Sequence, residues 1–244
     1  NLGQILQSHA LNFFYLSAPD FLLGMDSDVE KRNLFGIHDE YPEFAREGVR
    51  MRKFGQQVIE RLGKKRIHSA WVVPGGVNEP LSAENRDLIM GDIPEVKEIA
   101  VKYLEWYRKH LPEFREYVDN FGQFDTLFLG QVGRDGSLEY YDGDLRVIDH
   151  TGKILVDRMD PTKYDEIIGE AVEPWTFLKF PYYRPMGYPN GMYRVGPLAR
   201  LNLVEKAGTP IAQKYFEDFR SLEPGAVNSS FHFHYARLIE ILHC

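Results

Sequence analysis

Residues 61–77, RLGKKRIHSAWVVPGGV, decide how the chain is read. The stretch leaves an amphipathic helix at Gly63, crosses Lys64, Lys65 and Arg66, and reaches a lone His68. An apolar run, Trp71 to Val73, follows and ends in Pro74-Gly75-Gly76. The glycine pair frees the backbone for positive φ or for close approach by another group. A histidine held between a cationic stretch and a rigid turn suits a redox or proton-handling site. The same residues equally make a core histidine beside a strand and an ordinary Pro-Gly turn.

Upstream, Leu2, Ile5, Leu6, His9, Phe13 and Leu16 recur at helical spacing and predict a helix over 1–23, which Pro19 and Asp20 should end or kink. A polar connection carrying Asp26, Asp28 and Glu30 leads to a second helix from Pro42. Its stripe is Phe44, Met51, Phe54, Val58 and Leu62, with Gly63 as C-terminal cap. Downstream, 85–90 reads as a short helix, and Pro94 opens a long one through Val96, Ala100, Tyr103, Tyr107 and Leu111 that Pro112 should break. Residues 126–129, 138–141, 145–148 and 154–157 read as short strands joined by turns, and 160–172 as a short helix. The Pro-, Gly- and Tyr-rich segment 174–200 is expected to be extended and irregular, and a last helix begins near Ser229.

With 244 residues the chain can bury a sizeable core. Its net charge of −7 argues against a nucleic-acid partner, because phosphate binding needs a basic footprint. No apolar run approaches the roughly 20 residues that span a bilayer, so no membrane role is expected. The one cysteine, Cys244, excludes an internal disulfide framework, and a reducing, cytoplasmic setting follows. The chain opens and closes inside amphipathic helices without caps, the pattern of an internal segment of a longer subunit.

Among the histidines only His232 and His234 are close, and on a helix their imidazoles would point about 200° apart, which disfavours a shared metal. Metalloprotease, P-loop and nucleophile-elbow motifs are absent, and Asp142, Asp144 and Asp149 suit hairpin turns better than calcium. Arg194-Val195-Gly196-Pro197-Leu198-Ala199-Arg200 sets two arginines around a Gly-Pro turn in an apolar stretch. Buried guanidinium groups need carboxylate, carbonyl or cluster partners; tying helices together through carbonyls is the structural alternative.

These stretches together resemble the large, catalytic subunit of a [NiFe]-hydrogenase, most like the cytoplasmic, bidirectional NAD-reducing type. The resemblance rests on NLGQILQSHALNFFYLSAPD at 1–20, RIHSAWVVPGGV at 66–77, LKFPYYRPMGYPNGMYRVGPLARLN at 178–202 and SSFHFHYARLIEILHC at 229–244. It implies a mainly α (α+β) fold, a long-helix bundle with a small antiparallel sheet. The helical core would be 1–120 and 205–244, with a β-containing part at about 124–200. It also implies a nickel–iron centre with carbon monoxide and cyanide ligands, held by four cysteine thiolates outside these residues. The small subunit would bring iron–sulfur clusters, and diaphorase subunits FMN and NAD, for reversible oxidation of H2.

By the same resemblance Ser8 stands where respiratory relatives carry an active-site aspartate, and His9 where they have the neighbouring histidine, both beside the metal site. His68 corresponds to a histidine facing the small subunit's proximal cluster, and with Arg200 it would serve the interface or a proton or electron relay. Gly75, Gly76, Gly196 and Pro197 would shape the backbone. The alternatives are a complex I-like quinone-site subunit without nickel and a non-catalytic scaffold of hydrogenase ancestry. VGPLARLN and YPNGMYR favour hydrogenase over the complex I-like subunit.

Overall fold

The computed structural model describes residues 1–244. Their contacts divide into two units, Asn1–Arg108 with Glu240–Leu242 and Cys244, and Lys109–Ile239 with His243.

In the first unit, α1 (Leu2–Ala10) passes through a π-helical segment, Leu11–Ser17, into α2 (Ala18–Leu23). The helical run expected over 1–23 is present, but Pro19 does not end it. Pro19 lies in the first turn of α2, where a missing N–H costs nothing, and Gly24 at φ 91° closes the run. A short helix, α3 (Leu34–Glu40), lies where only a polar connection was expected. Asn33 makes it possible, its side chain accepting from the N–H groups of Phe35 and Gly36 at 2.8 and 3.3 Å.

The next helix, α4 (Pro42–Gly63), follows its predicted stripe, burying Phe44, Met51 and Phe54. Its left-handed terminal residue is Lys64 at φ 57°, one past the expected glycine cap. Gly63 is required for another reason: a Cβ there would fall 1.7 Å from Ser69 Oγ. Strands β1 (Val72–Val73) and β2 (Gly76–Val77) form a tight hairpin, pairing Val72 with Val77 and Val73 with Gly76. One helix, α5 (Ala83–His110), replaces the two expected, with Pro94 inside it. The proline forfeits one hydrogen bond, and burial of Val96, Ile99, Ala100, Tyr103, Leu104 and Tyr107 holds the helix regardless.

An aromatic cluster forms the heart of this unit. Phe14 meets Phe44 at 5.0 Å and Tyr103 edge-on at 5.1 Å, and Phe44 meets Tyr103 at 4.8 Å. Close approach of α1 to α4 depends on glycine. A Cβ on Gly55 would lie 2.7 Å from Gln7 N, and one on Gly48 2.7 Å from Phe14 Cβ.

The second unit includes the break expected at Pro112, where a 3-10 turn at Leu111–Phe114 leads into α6 (Arg115–Asn120). Strands β3 (Leu127–Val132), β4 (Asp144–Ile148) and β5 (Ile154–Met159) form the antiparallel part of a four-stranded sheet. The strand expected at 138–141 is instead a turn, because the Glu139 carboxylate collects the N–H groups of Tyr140, Tyr141 and Asp142. Only the first part of 160–172 is helical. Asp160 caps a 3-10 turn at Pro161–Glu166, and the residues beyond it form β6 (Ile168–Val172), held by its pairing with β7 (Lys179–Tyr183).

Strand β8 (Tyr193–Arg194) joins β3 in parallel, so the sheet runs β5-β4-β3-β8 and is mixed where an antiparallel one was expected. Helices α7 (Pro197–Leu203), α8 (Pro210–Arg220) and α9 (Phe233–His243) complete the chain, α9 after a 3-10 turn at Ser230–His232. Leu127, Val147, Ile167 and Tyr183 make one buried cluster beneath the strands. Leu198, Leu201, Phe219, Phe231 and Tyr235 are also fully enclosed.

Candidate functional site

Helix α1 turns His9 inward while Ser8, one residue earlier, stays exposed. The imidazole Nε2 lies 2.6 Å from a carboxylate oxygen of Glu240 in the last turns of α9, and the Glu240 side chain has no exposed surface. Both chain segments belong to the first unit. A carboxylate so enclosed is tolerable only with a close partner, and His9 provides it. Ser8 therefore has its place set by an anchored neighbour.

Between α4 and β1 the chain forms a cationic surface loop. Arg66 pairs with Glu60 at 3.0 Å, Lys64 pairs with Glu79, and the Gln56 amide donates to the Arg66 carbonyl at 2.7 Å. Trp71 Nε1 donates to the Glu79 carbonyl at 2.7 Å and braces the β1–β2 hairpin. Gly75 at φ 91° and Gly76 at φ 149° supply the turn geometry. His68 is exposed and itself left-handed at φ 52°. It is not a core histidine, and no hydrogen bond joins it to Ser8 or His9.

In the second unit Gly196, at φ 86°, leads into α7, and Pro197 begins that helix with its ring buried. Arg200 is half-buried, its guanidinium 5.3 Å from the Tyr140 ring centre. Arg194, the other arginine of this stretch, ties chain segments together through backbone carbonyls. It donates to the carbonyls of Gly122, at 2.7 Å, and Asn228 while stacking 4.1 Å over Phe124. Burial holds its pKa below the usual arginine value, with Glu223 opposing.

Three further groups escaped the sequence reading. Asn202 accepts from Val227 N–H at 2.8 Å and donates to its carbonyl at 2.9 Å. Arg146, 3% exposed, reaches Asp157 at 2.7 Å, the Leu203 carbonyl at 2.7 Å and Glu205 at 3.3 Å. Glu240 itself had a signal, an acid between Ile239 and Ile241, but its partner lies 231 residues away. Burial pushes the pKa values of His232 and His234 down to about 4 and about 3 respectively.

No set of three His, Cys, Asp or Glu side chains is placed to hold a metal ion. The nickel–iron centre implied by the resemblance needs soft thiolates, and Cys244 is the chain's one thiol. The residues of this chain do not fit that group on their own.

No family model matches the chain. It is 39% identical over 242 residues to a subunit of the F420-non-reducing hydrogenase vhu of Methanocaldococcus jannaschii, covering 99% of this chain and 57% of that protein. It is 37% identical over 248 residues to the beta subunit of the NAD-reducing hydrogenase HoxS of Cupriavidus necator, covering 99% of this chain and 51% of that protein. The chain thus spans little more than half the length of the curated relatives it matches. Among solved structures, a chain of an NAD+-reducing [NiFe]-hydrogenase in its H2-reduced state superposes with a TM-score of 0.96. Identity there is 42%, covering 100% of this chain and 54% of that one. A [NiFeSe] hydrogenase from Desulfovibrio vulgaris Hildenborough, at 22% identity and a TM-score of 0.69, shows the fold alone.

The expectation of a large catalytic subunit is corrected by these relatives. Neither the vhu protein nor the HoxS beta protein is named as a large catalytic subunit, and the two divide between F420-non-reducing and NAD-reducing enzymes. The mainly α, α+β fold stands, and along its whole length the chain is similar to subunits of hydrogenases.

Proposed function

We propose that the chain is part of a component of a [NiFe]-hydrogenase that oxidises H2 reversibly and delivers electrons to NAD+. The observation that carries this reading is the match, over the whole chain, to an NAD+-reducing [NiFe]-hydrogenase chain at a TM-score of 0.96 and 42% identity. In this reading the metal ligands come from residues other than these. Iron–sulfur clusters and a flavin in partner subunits, among them a diaphorase, relay the electrons in a soluble, cytoplasmic complex. No helix here is long and apolar enough to cross a membrane.

The chain's own residues position and pass on. His9, locked by Glu240, fixes α1 so that the exposed Ser8 hydroxyl faces the neighbourhood of the metal site. His68, exposed on its cationic loop, and Arg200 serve contacts with a partner or a proton or electron path. Ser8→Asp in the complete enzyme is expected to change the rate of H2 oxidation while leaving the melting temperature unchanged. An unaltered rate removes Ser8 from the site. His68→Ala is expected to slow NAD+ reduction or weaken partner binding; normal turnover by an intact complex removes His68.

The decisive experiment is H2-dependent NAD+ reduction by the purified complex containing the full-length protein, with nickel measured in the same sample. NAD+ reduction with nickel present supports the reading. H2 oxidation with an artificial dye but not with NAD+ favours a different acceptor, a reading supported by the F420-non-reducing hydrogenases at up to 39% identity. A complex without nickel or H2 oxidation overturns both.

A further inference from the structure

On the surface of α4, residues 49, 52, 53, 56, 57 and 60 recur at three- and four-residue spacing and make one continuous stripe. Facing it are Tyr15, carried by the π-helical segment, and Arg66 from the connection beyond α4. Together they enclose a groove of about 320 Å³. That lies at the lower end of the volumes that hold small molecules, about 300–1,000 Å³.

The groove's charge is one-sided. Arg52, Lys53 and Arg66 line it, and its one carboxylate, Glu60, is engaged by Arg66 at 3.0 Å. An ordinary solvated helix face would keep its guanidinium groups in water. Arg52 is half-buried: its Nε is cut off from solvent with no hydrogen-bond partner, while its side chain hydrogen-bonds Tyr15. Its guanidinium carbon lies 5.7 Å from the centre of the Tyr15 ring. An unsatisfied buried donor is costly, and it holds this guanidinium in place at the groove wall that Arg52 lines. Burial raises the Tyr15 phenol above its usual range, outweighing the opposing effect of Arg52, so its hydroxyl remains protonated.

We propose that this groove binds a phosphate group. A carboxylate would be satisfied by one arginine fork, whereas Arg52, Lys53, Gln57 and the Tyr15 hydroxyl come from two sides of the groove. Several donors converging from different directions suit the tetrahedral oxygens of phosphate. The π-helical turn supports the assignment, since such distortions of a helix re-aim side chains and recur at functional sites. The phosphate comes either as the free anion or on a small phosphomonoester, and the inference does not rest on the hydrogenase reading.

The test is equilibrium dialysis of radiolabelled inorganic phosphate against the purified complex containing the full-length protein, with glycerol phosphate as competitor. Saturable binding of one phosphate per chain is expected. Arg52→Gln should weaken it about tenfold or more, the loss of a charge-assisted hydrogen bond. Lys53→Gln, at an exposed position that does not affect folding, should weaken it as well, while Lys153→Gln on the β4–β5 turn of the second unit should not. Displacement by glycerol phosphate at lower concentration than by phosphate itself identifies a phosphomonoester site; the reverse identifies the free anion. Absence of saturable binding, or binding that neither Arg52→Gln nor Lys53→Gln alters, overturns the proposal.

Discussion

Glu240 carries its carboxylate out of water in α9, and the His9 imidazole lies against it at 2.6 Å. His9→Ala removes that close partner from a buried carboxylate and is expected to destabilise the protein by about 3–5 kcal/mol. Replacing both residues with leucine should cost much less, because no charge is then left buried. Denaturant midpoints of the two variants and the wild type decide this; equal losses would mean that His9 acts by packing alone. His232 makes an acid-side prediction. Burial holds its pKa near 4, against about 6.5 unfolded, so the folded state favours the neutral ring. Its contribution is present above pH 6.5 and is lost as pH falls toward 4, by about 3 kcal/mol for this residue. Urea midpoints measured across that window should fall with pH, and His232→Gln should flatten the curve.

At the scale of elements, the packing of α1 on α4 balances helix propensity against contact distance. Gly55→Ala would favour an isolated helix by about 1 kcal/mol. The new methyl would lie 2.7 Å from Gln7 N and 2.8 Å from Gly3 O, both backbone atoms that cannot swing aside. Separating the helices costs about 1–3 kcal/mol, so a net loss of stability is expected. An unchanged or higher melting temperature for Gly55→Ala would show that the helices can slide apart freely. Pro94 illustrates the opposite balance. A strong local signal for a helix start is overridden because the residues beyond it bury a continuous face.

At the scale of the molecule, the surface is uneven. Trp175 and Phe177, at the tip between β6 and β7, are 73% and 93% exposed, and Val172 and Leu178 nearby are 67% and 59% exposed. Apolar surface gathered in this way promotes association of a chain separated from its complex. Phe177→Ser is expected to reduce concentration-dependent association of the separated protein, measured by sedimentation, without altering its helical circular dichroism. Association equal to that of the wild type would place the sticky surface elsewhere.

Local order decided much of what the sequence alone could determine. The α4 stripe from Phe44 to Leu62, the break at Pro112 and the Pro74-Gly75-Gly76 turn are set by residues within a few positions of one another. Periodicity and backbone restriction read them directly. The likeness to hydrogenase subunits was legible for a related reason, in contiguous stretches such as 66–77 and 178–202. The α3 helix, the β6–β7 pair and the parallel strand β8 were not, because a side-chain cap and cross-strand partners create them. Glu240 and His9 are far apart in sequence, and Arg52 and Tyr15 sit on different helical segments. Burial of a charge, and the partner it then requires, are properties of packing, and only the tertiary structure decided them.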